Sequence, residues 1–482
     1  MKKEEYYKII HYIADIIKGT YFENQTYAVG GCCRDLVMGN DIHDIDICVE
    51  MPNGGIKFAK FMEQNGYTTN NVVIYETYGT AMFHLKEFNG VEIECVMTRG
   101  EQYHDKNSRN PQVTYASLEE DCFRRDLTIN ALYHNISQDK IIDPTNKGLS
   151  DIKSHYIRVT NENPNIVFQD DPLRMLRCVR FASRFGWVIE SNTFSAIERN
   201  KELIPNVITQ ERITDEFSKM MSEGNPVEAL KLLKITGLMP YVIKEIVDTY
   251  DLKQNDKHFG TVYEHTLKTI DGALAFADKY LIKYNRLLLC VTALLHDIGK
   301  IKTYSVVDDK IHFYGHEYEG TEMAREILKR MKYSNKFIEK VCFLIKNHMT
   351  TKRWGDDCRH MKINKLRKLQ YKCNDLETFL ILLAVIDGDN NAHKTEYNMP
   401  NQAYNILTKT SEMLDEGDDM FGYVLPINGN DIMERYGLKP GPDIQRILSN
   451  ALKTAFNNRY IGKEECLNSV KGIIKEIKHK EL

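Results

Sequence analysis

The stretch AVGGCCRDLVMGNDIHDIDICV, residues 28–49, decides how the rest of the chain is read. Alternation across Asp44-Ile45-Asp46-Ile47 predicts a β-strand, on which residues i and i+2 share a face, so Asp44 and Asp46 project side by side. Adjacent carboxylates repel each other unless something rewards the arrangement, and a hard divalent cation such as Mg²⁺, bridging them to phosphate, is the usual reward. Gly30 and Gly31 leave a backbone that phosphates can approach, Arg34 carries a planar cationic fork, and Asp35 stands beside it. The combination GG-xx-RD followed by DxD reads as a metal-dependent nucleotidyl-transfer site. A bare DxD would read as a surface turn.

Composition sets bounds around that stretch. At 482 residues the chain is too long for one core, and 42% apolar with 27% charged residues describes an ordinary soluble protein. A net charge of −4 means that nucleic acid, if bound, meets a local basic face. The 11 cysteines include no CxxC pair, which points to reduced thiols in the cytoplasm. The first residues mix acids into an amphipathic helix rather than a signal peptide. The longest apolar run, residues 379–386, is too short to span a bilayer, so no membrane contact is expected.

Further along, VEIECV (91–96) alternates as a strand, and Glu94 is the favoured third carboxylate beside Asp44 and Asp46. Residues 99–117, with Asn107-Ser108-Arg109-Asn110-Pro111, read as a loop. LEEDCFRRDLTINALY (118–133) reads as a helix whose Arg124, Arg125, Asp126 and Asn130 suit a triphosphate and a ribose. From about residue 151 the pattern turns helical. Asp170-Asp171-Pro172 opens a helix with Arg174, Arg177 and Arg180 along one face. Asp171 accepts and Arg174 donates hydrogen bonds, so together they can meet a base edge.

On GGCCRD with DIDI, EEDCFRRDLTINAL and DDPLRMLRCVRFASRFGW, the chain resembles the class II tRNA nucleotidyltransferases, the family of CCA-adding enzymes and bacterial poly(A) polymerases. LPINGNDIMERYGLKPGPDIQRIL (425–448) extends the resemblance to the tail of the longer members. The family's base-selecting motif, Glu-Asp-x-x-Arg, stands here as Asp170-Asp171-x-x-Arg174, and Glu94 lies five residues before Arg99, where the family has an acid. The resemblance implies an α+β fold: a polymerase-β-like nucleotidyltransferase head with a small mixed sheet (1–150), a helical neck (151–250), an HD-type helical body (251–395) and a helical tail touching tRNA (396–482). It implies Mg²⁺ on Asp44 and Asp46. It also implies phosphate neutralisation by Arg34, Arg125 and Arg177, ribose contact by Asp126 and Asn130, and a choice of C or A by Asp171 and Arg174. The partners are tRNA, ATP and CTP, with oligomeric state open.

A second constellation follows. His265, His296-Asp297 within HDIGK, His316, His348 and Asp387 fall in the order of an HD phosphohydrolase, with Asp389 as rival to Asp387. Imidazoles with carboxylates suit a divalent transition metal or Mg²⁺ and metal-activated water attacking a phosphoester, for example at tRNA 3′ ends. His312, His360 and His393 read as surface residues. The last helix, 463–480, is Lys-rich on one side and suits an RNA backbone. Two other readings compete with CCA addition: a poly(A) polymerase or A-adding enzyme of the same family, and an HD phosphohydrolase whose head only senses nucleotide. A tRNA-binding chaperone would leave two metal constellations unexplained.

Overall fold

The computed structural model describes residues 1–69, 71–76, 79–102, 112–355, 357–399, 401–458 and 462–480. The chain forms two compact units, Met1–Val242 and Ile243–Leu482. No helix among the described residues is long and apolar enough to cross a membrane.

The first unit is built on a seven-stranded mixed sheet. Its strands are β1 (Thr26–Val29), β2 (Ile45–Val49), β3 (Val73–Tyr75), β4 (Thr80–Leu85) and β5 (Val91–Met97). β6 (Arg99–Gln102) and β7 (Gln112–Tyr115) form a separate pair, and β8 (Tyr133–Asn135) and β9 (Lys140–Ile142) complete the main sheet in the order β3-β4-β5-β2-β1-β8-β9. β2 and β5 run parallel, with Asp46 opposite Glu94 and Ile47 opposite Cys95. The pleat buries Ile45, Ile47, Ile93 and Cys95 and turns both carboxylates to the other face. Helix Lys3–Ile17 contributes Tyr6, Ile9, Ile10, Ile13 and Ile17 to the core.

Four local expectations change. The helix expected over 118–133 stops at Phe123, because Tyr133–Asn135 is claimed by strand pairing with β1. Arg124, Arg125 and Asp126 therefore lie beyond the helix and not along it. Both ends of the expected loop 99–117 are strands, the antiparallel pair β6–β7, while Asn107-Ser108-Arg109-Asn110-Pro111 lie outside the described residues. Asp171 ends the helix Pro164–Asp170, and Pro172 is the N-cap of Leu173–Phe185. The tail's final helix is two, Lys463–Ser469 and Lys471–Lys480, which bury Cys466, Leu467, Val470, Ile474 and Ile477 in one small core with Ile432 and Ile447.

The second unit is helical. Val262–Tyr280 and Leu376–Asn391 cross closely at Gly272 and Gly388. A Cβ on Gly388 would stand 2.3 Å from the Thr269 carbonyl oxygen. Gly388→Ala is therefore expected to force the two helices apart and cost about 1–3 kcal/mol, read as a lower midpoint in denaturant unfolding. An unchanged midpoint would remove this crossing from the account.

Candidate active sites

The first site lies where the Gly30 turn meets β2 and β5. Gly30 has φ 79 and ψ −126, a conformation in which a side chain is strained, and it opens the helix Gly31–Met38. The position of a Cβ on Gly30 is 3.8 Å from Arg125 Nη1 and 3.9 Å from Asp46 Oδ2, so these groups converge on the turn. Asp44 immediately precedes β2. Glu92 lies within reach of His84 on β4, 3.5 Å away, which leaves Glu94 as the acid beside Asp46. Burial raises the Asp46 carboxyl to about 6, with Glu94 and Asp44 adding to the rise against the pull of Arg125. Asp46 thus sits among like charges with too little positive charge to match, which fits a divalent cation bound to hard oxygen donors.

The arginines come pre-positioned by acids, one of which, Asp121, the sequence reading did not single out. Asp121 is fully buried. Its Oδ2 accepts hydrogen bonds from Arg125 Nε (3.0 Å) and Tyr133 Oη (2.6 Å), and its Oδ1 accepts from Arg124 Nη2 (2.6 Å). Burial alone would raise this carboxyl, but Arg125 and Arg124 hold it well below the usual range. Arg34 is buried, forked onto Asp35 (2.8 and 3.0 Å), and donates to Asn130 Oδ1 (2.7 Å) beneath Phe181 and Phe185. Asn130 donates to Asp126, whose Oδ2 accepts from Arg177 Nε at 2.6 Å. Against its burial, Arg177 holds Asp126 down at about 2. Arg180 pairs with Glu216 at 3.2 Å. Arg174 donates to the Arg124 carbonyl at 2.6 Å, and Asp171 pairs with Arg212 at 2.8 Å. An alternating chain of charges therefore runs from the Gly31–Met38 helix to the Leu173–Phe185 helix and on to Gln210–Glu223.

The second site is a buried cluster in the second unit. Asp297 is its centre. Oδ2 faces His265 Nε2 (3.4 Å) and His296 Nε2 (3.2 Å), and Oδ1 faces His316 Nε2 (3.4 Å) and His348 Nε2 (4.0 Å). His296, His316 and His348 each turn Nδ1 onto the carbonyl three residues earlier, at 2.7, 2.9 and 2.6 Å, so each presents Nε2 to the cluster. Two groups of potential ligands, His265–His296–Asp297 and Asp297–His316–His348, have all their ligand atoms within 4.8 Å of one another and share Asp297. His265 Nε2 and His296 Nε2 are buried without hydrogen-bond partners, and Asp297 Oδ2 stands 2.6 Å from Lys300 Nζ. Orphaned imidazole nitrogens aimed at a buried carboxylate fit a divalent metal ion. Asp297 stays ionised despite its burial, since His296 and Lys300 hold its carboxyl far down.

The sequence-derived ligand set needs one correction. Asp389, not Asp387, faces the cluster: its Oδ1 is 3.2 Å from His265 Nε2. Asp387 points elsewhere, accepts from Asn391 at 2.9 Å and lines a separate hollow with Lys279 and Tyr404. Both lie on one helix, where residues two apart diverge by about 200°. His393 and His312 are also not plain surface residues. Both line the cavity over the cluster, and His393 packs its ring 5.5 Å from that of His265. Lys300, 2.6 Å from Asp297, and Lys352, 3.1 Å from Asp389, were missed as neighbours of the centre. Only the lysine of HDIGK carried a sequence signal.

Comparison with known proteins follows this geometry. Family profiles match a Poly A polymerase head domain over residues 26–158, a segment described as "Probable RNA and SrmB- binding site of polymerase A" over 186–249, and an HD domain over 262–388. The mitochondrial CCA tRNA nucleotidyltransferase of Candida glabrata is 34% identical over 228 residues, 43% of this chain, and the chain spans only 41% of that relative's length. The CCA-adding enzyme of Ligilactobacillus salivarius is 30% identical over 461 residues, covering 94% of this chain and 93% of that protein. The crystal structure of Bacillus stearothermophilus CCA-adding enzyme in complex with CTP shares the fold, with a TM-score of 0.64 at 22% identity over 99% of both chains. Matched at 30% identity along nearly the whole length of the Ligilactobacillus salivarius enzyme, and carrying a Poly A polymerase head domain followed by an HD domain, the chain belongs to the family of CCA-adding enzymes.

Proposed function

We propose that this protein adds C, C and A to the 3′ end of tRNA, using CTP and ATP without a nucleic-acid template. The register of Asp46 against Glu94, under the Gly30 turn and beside Arg125, carries this reading. In the step, the RNA 3′-hydroxyl oxygen bonds to the α-phosphorus, the bond to the pyrophosphate oxygen breaks, and the hydroxyl proton is lost. Asp44, Asp46 and Glu94 would hold Mg²⁺, which when bound supplies charge neutralisation and activation of the hydroxyl. Arg125 and Arg177 turn cationic charge toward the nucleotide while Asp121 and Asp126 keep their forks in place. Asp171 and Arg174 would choose between C and A; in the structure Arg174 is tied to the Arg124 carbonyl and Asp171 to Arg212. All 11 cysteines are free, which supports a reducing, cytoplasmic setting. Incubation of the protein with tRNA lacking its CCA end tests the reading. CTP alone is expected to extend it by C-C, and CTP with ATP to complete CCA. Incorporation from ATP but never from CTP would make it an A-adding enzyme or a poly(A) polymerase instead.

The shared carboxylate of Asp297 favours a second activity, phosphoester hydrolysis in the second unit. The water oxygen bonds to phosphorus, the ester P–O bond breaks, and the proton from water ends on the leaving hydroxyl. His265, His296, Asp297, His316, His348 and Asp389 would hold the metal, which when bound lowers the pKa of the water.

A further inference from the structure

The cavity over the cluster holds about 600 Å³, within the range of sites that take small molecules. Asp297, His316 and Asp389 lie in its lining, and Lys300 and Lys352 stand beside these carboxylates. A hairpin, Ser305–Val307 with Lys310–His312, reaches the lining at His312 and leads on through Phe313 and Tyr314 to the helix beginning at His316. Along this stretch Phe313 is buried with Lys300 Nζ 5.3 Å from its ring centre. Its two neighbours, His312 and Tyr314, stack on each other instead, ring centres 4.9 Å apart and planes 12° from parallel. Both line the cavity, yet Tyr314 is 75% exposed. Burial does not account for a tyrosine left so open, and none of the cluster's contacts involve it. What the pair offers is a flat aromatic face, one Gly315 away from a histidine of the cluster, at the mouth of a cavity carrying two ammonium groups.

We propose that the His312–Tyr314 pair is a base-stacking platform, so that the second unit takes a terminal nucleoside phosphate, with its phosphate at Lys300 and Lys352 and its base on Tyr314. Ammonium groups pair with phosphate as point charges, and every base has a π-face that an aromatic side chain accepts. The inference rests on the reading of this unit as a phosphohydrolase and adds the residues that hold the base of its substrate. Such a nucleoside phosphate comes either as a free mononucleotide or as the end of an RNA strand.

The test uses the full chain with Mn²⁺ and four esters: adenosine 5′-monophosphate, ribose 5-phosphate, and RNA oligonucleotides carrying a 3′-phosphate on a terminal adenosine or a terminal abasic ribose. Tyr314→Ala is expected to raise KM for a base-bearing ester about 5- to 150-fold, the cost of losing one base–aromatic stack, with kcat little changed. The abasic counterpart is expected to lack that rise, and Tyr314→Trp to restore the low KM. A rise confined to the mononucleotide assigns the free ligand, and one confined to the oligonucleotide assigns the RNA end. Equal shifts for base-bearing and abasic esters, or no shift in either, overturn the platform. If the unsubstituted protein hydrolyses none of the four, the hydrolytic reading fails by itself. The platform is then judged by the added fluorescence of Tyr314→Trp: quenching by adenosine 5′-monophosphate or the adenosine-ended oligonucleotide, but not by ribose 5-phosphate, upholds it, and no quenching overturns it.

Discussion

Replacing Asp46 by alanine is expected to lower nucleotide incorporation by about 10³-fold or more, roughly 4 kcal/mol of transition-state stabilisation. The physical case is the position of the residue. Asp46 alone among the three carboxylates is tied at once to Glu94 across the parallel pair, to Asp44 two residues before it, and to the Gly30 turn where Arg125 arrives. Removing it leaves Glu94 and Asp44 without a common centre. Asp46→Asn keeps the shape and removes the charge, so a comparable loss with that variant assigns the effect to charge rather than packing. Both variants are measured for CMP and AMP incorporation into tRNA lacking CCA, with phosphoester hydrolysis followed in parallel. Full incorporation by Asp46→Ala would sink the assignment of the first site. Loss of both activities together would indicate a damaged fold, which a matching circular dichroism spectrum and unfolding midpoint would reveal.

The second large effect separates two aspartates two residues apart. Asp389→Ala is expected to weaken metal retention by the second unit at least about 100-fold, the upper end of what outer partners of metal ligands contribute. Asp387→Ala is expected to retain metal normally. The difference follows from helix geometry: Asp389 Oδ1 lies 3.2 Å from His265 Nε2, while Asp387 is bonded to Asn391 on another face. Elemental analysis after loading with Mn²⁺ and exhaustive dialysis reads the outcome directly. Equal retention by both variants, or loss only with Asp387→Ala, would reverse the assignment. Asp389→Asn adds a control, since it keeps an oxygen donor but removes the charge that faces Lys352.

Legibility varied with the range of the interaction concerned. The strand pair carrying Asp46 and Glu94 was readable because period-two alternation needs only neighbouring residues, and the HDIGK helix end was readable for the same kind of reason. The short-range pattern failed at 118–133. There a stretch that suits a helix is cut short by a strand whose partner, β1, lies about a hundred residues earlier. Asp121 went unnoticed because an acid inside EEDCF looks like a solvated helix face, and only its complete burial between Arg124, Arg125 and Tyr133 reveals what it does. His312 and His393 looked like surface residues because no periodicity records that two distant segments meet at one cavity.

By itself, the sequence determined the chemical inventory: a carboxylate pair on a strand, an arginine-rich helix behind it, five cluster residues in HD order, and the family to which these belong. Those are properties of residue type and local spacing, and local spacing survives folding. The tertiary structure alone decided which of several chemically equivalent residues face a site. Asp389 over Asp387, the burial of Asp121 between the arginines it holds, and the aromatic pair above the second cluster were all decided there. The reason is that facing is a rotational property: it depends on where a helix or strand stops and on what it packs against, and those partners lie far away in the chain.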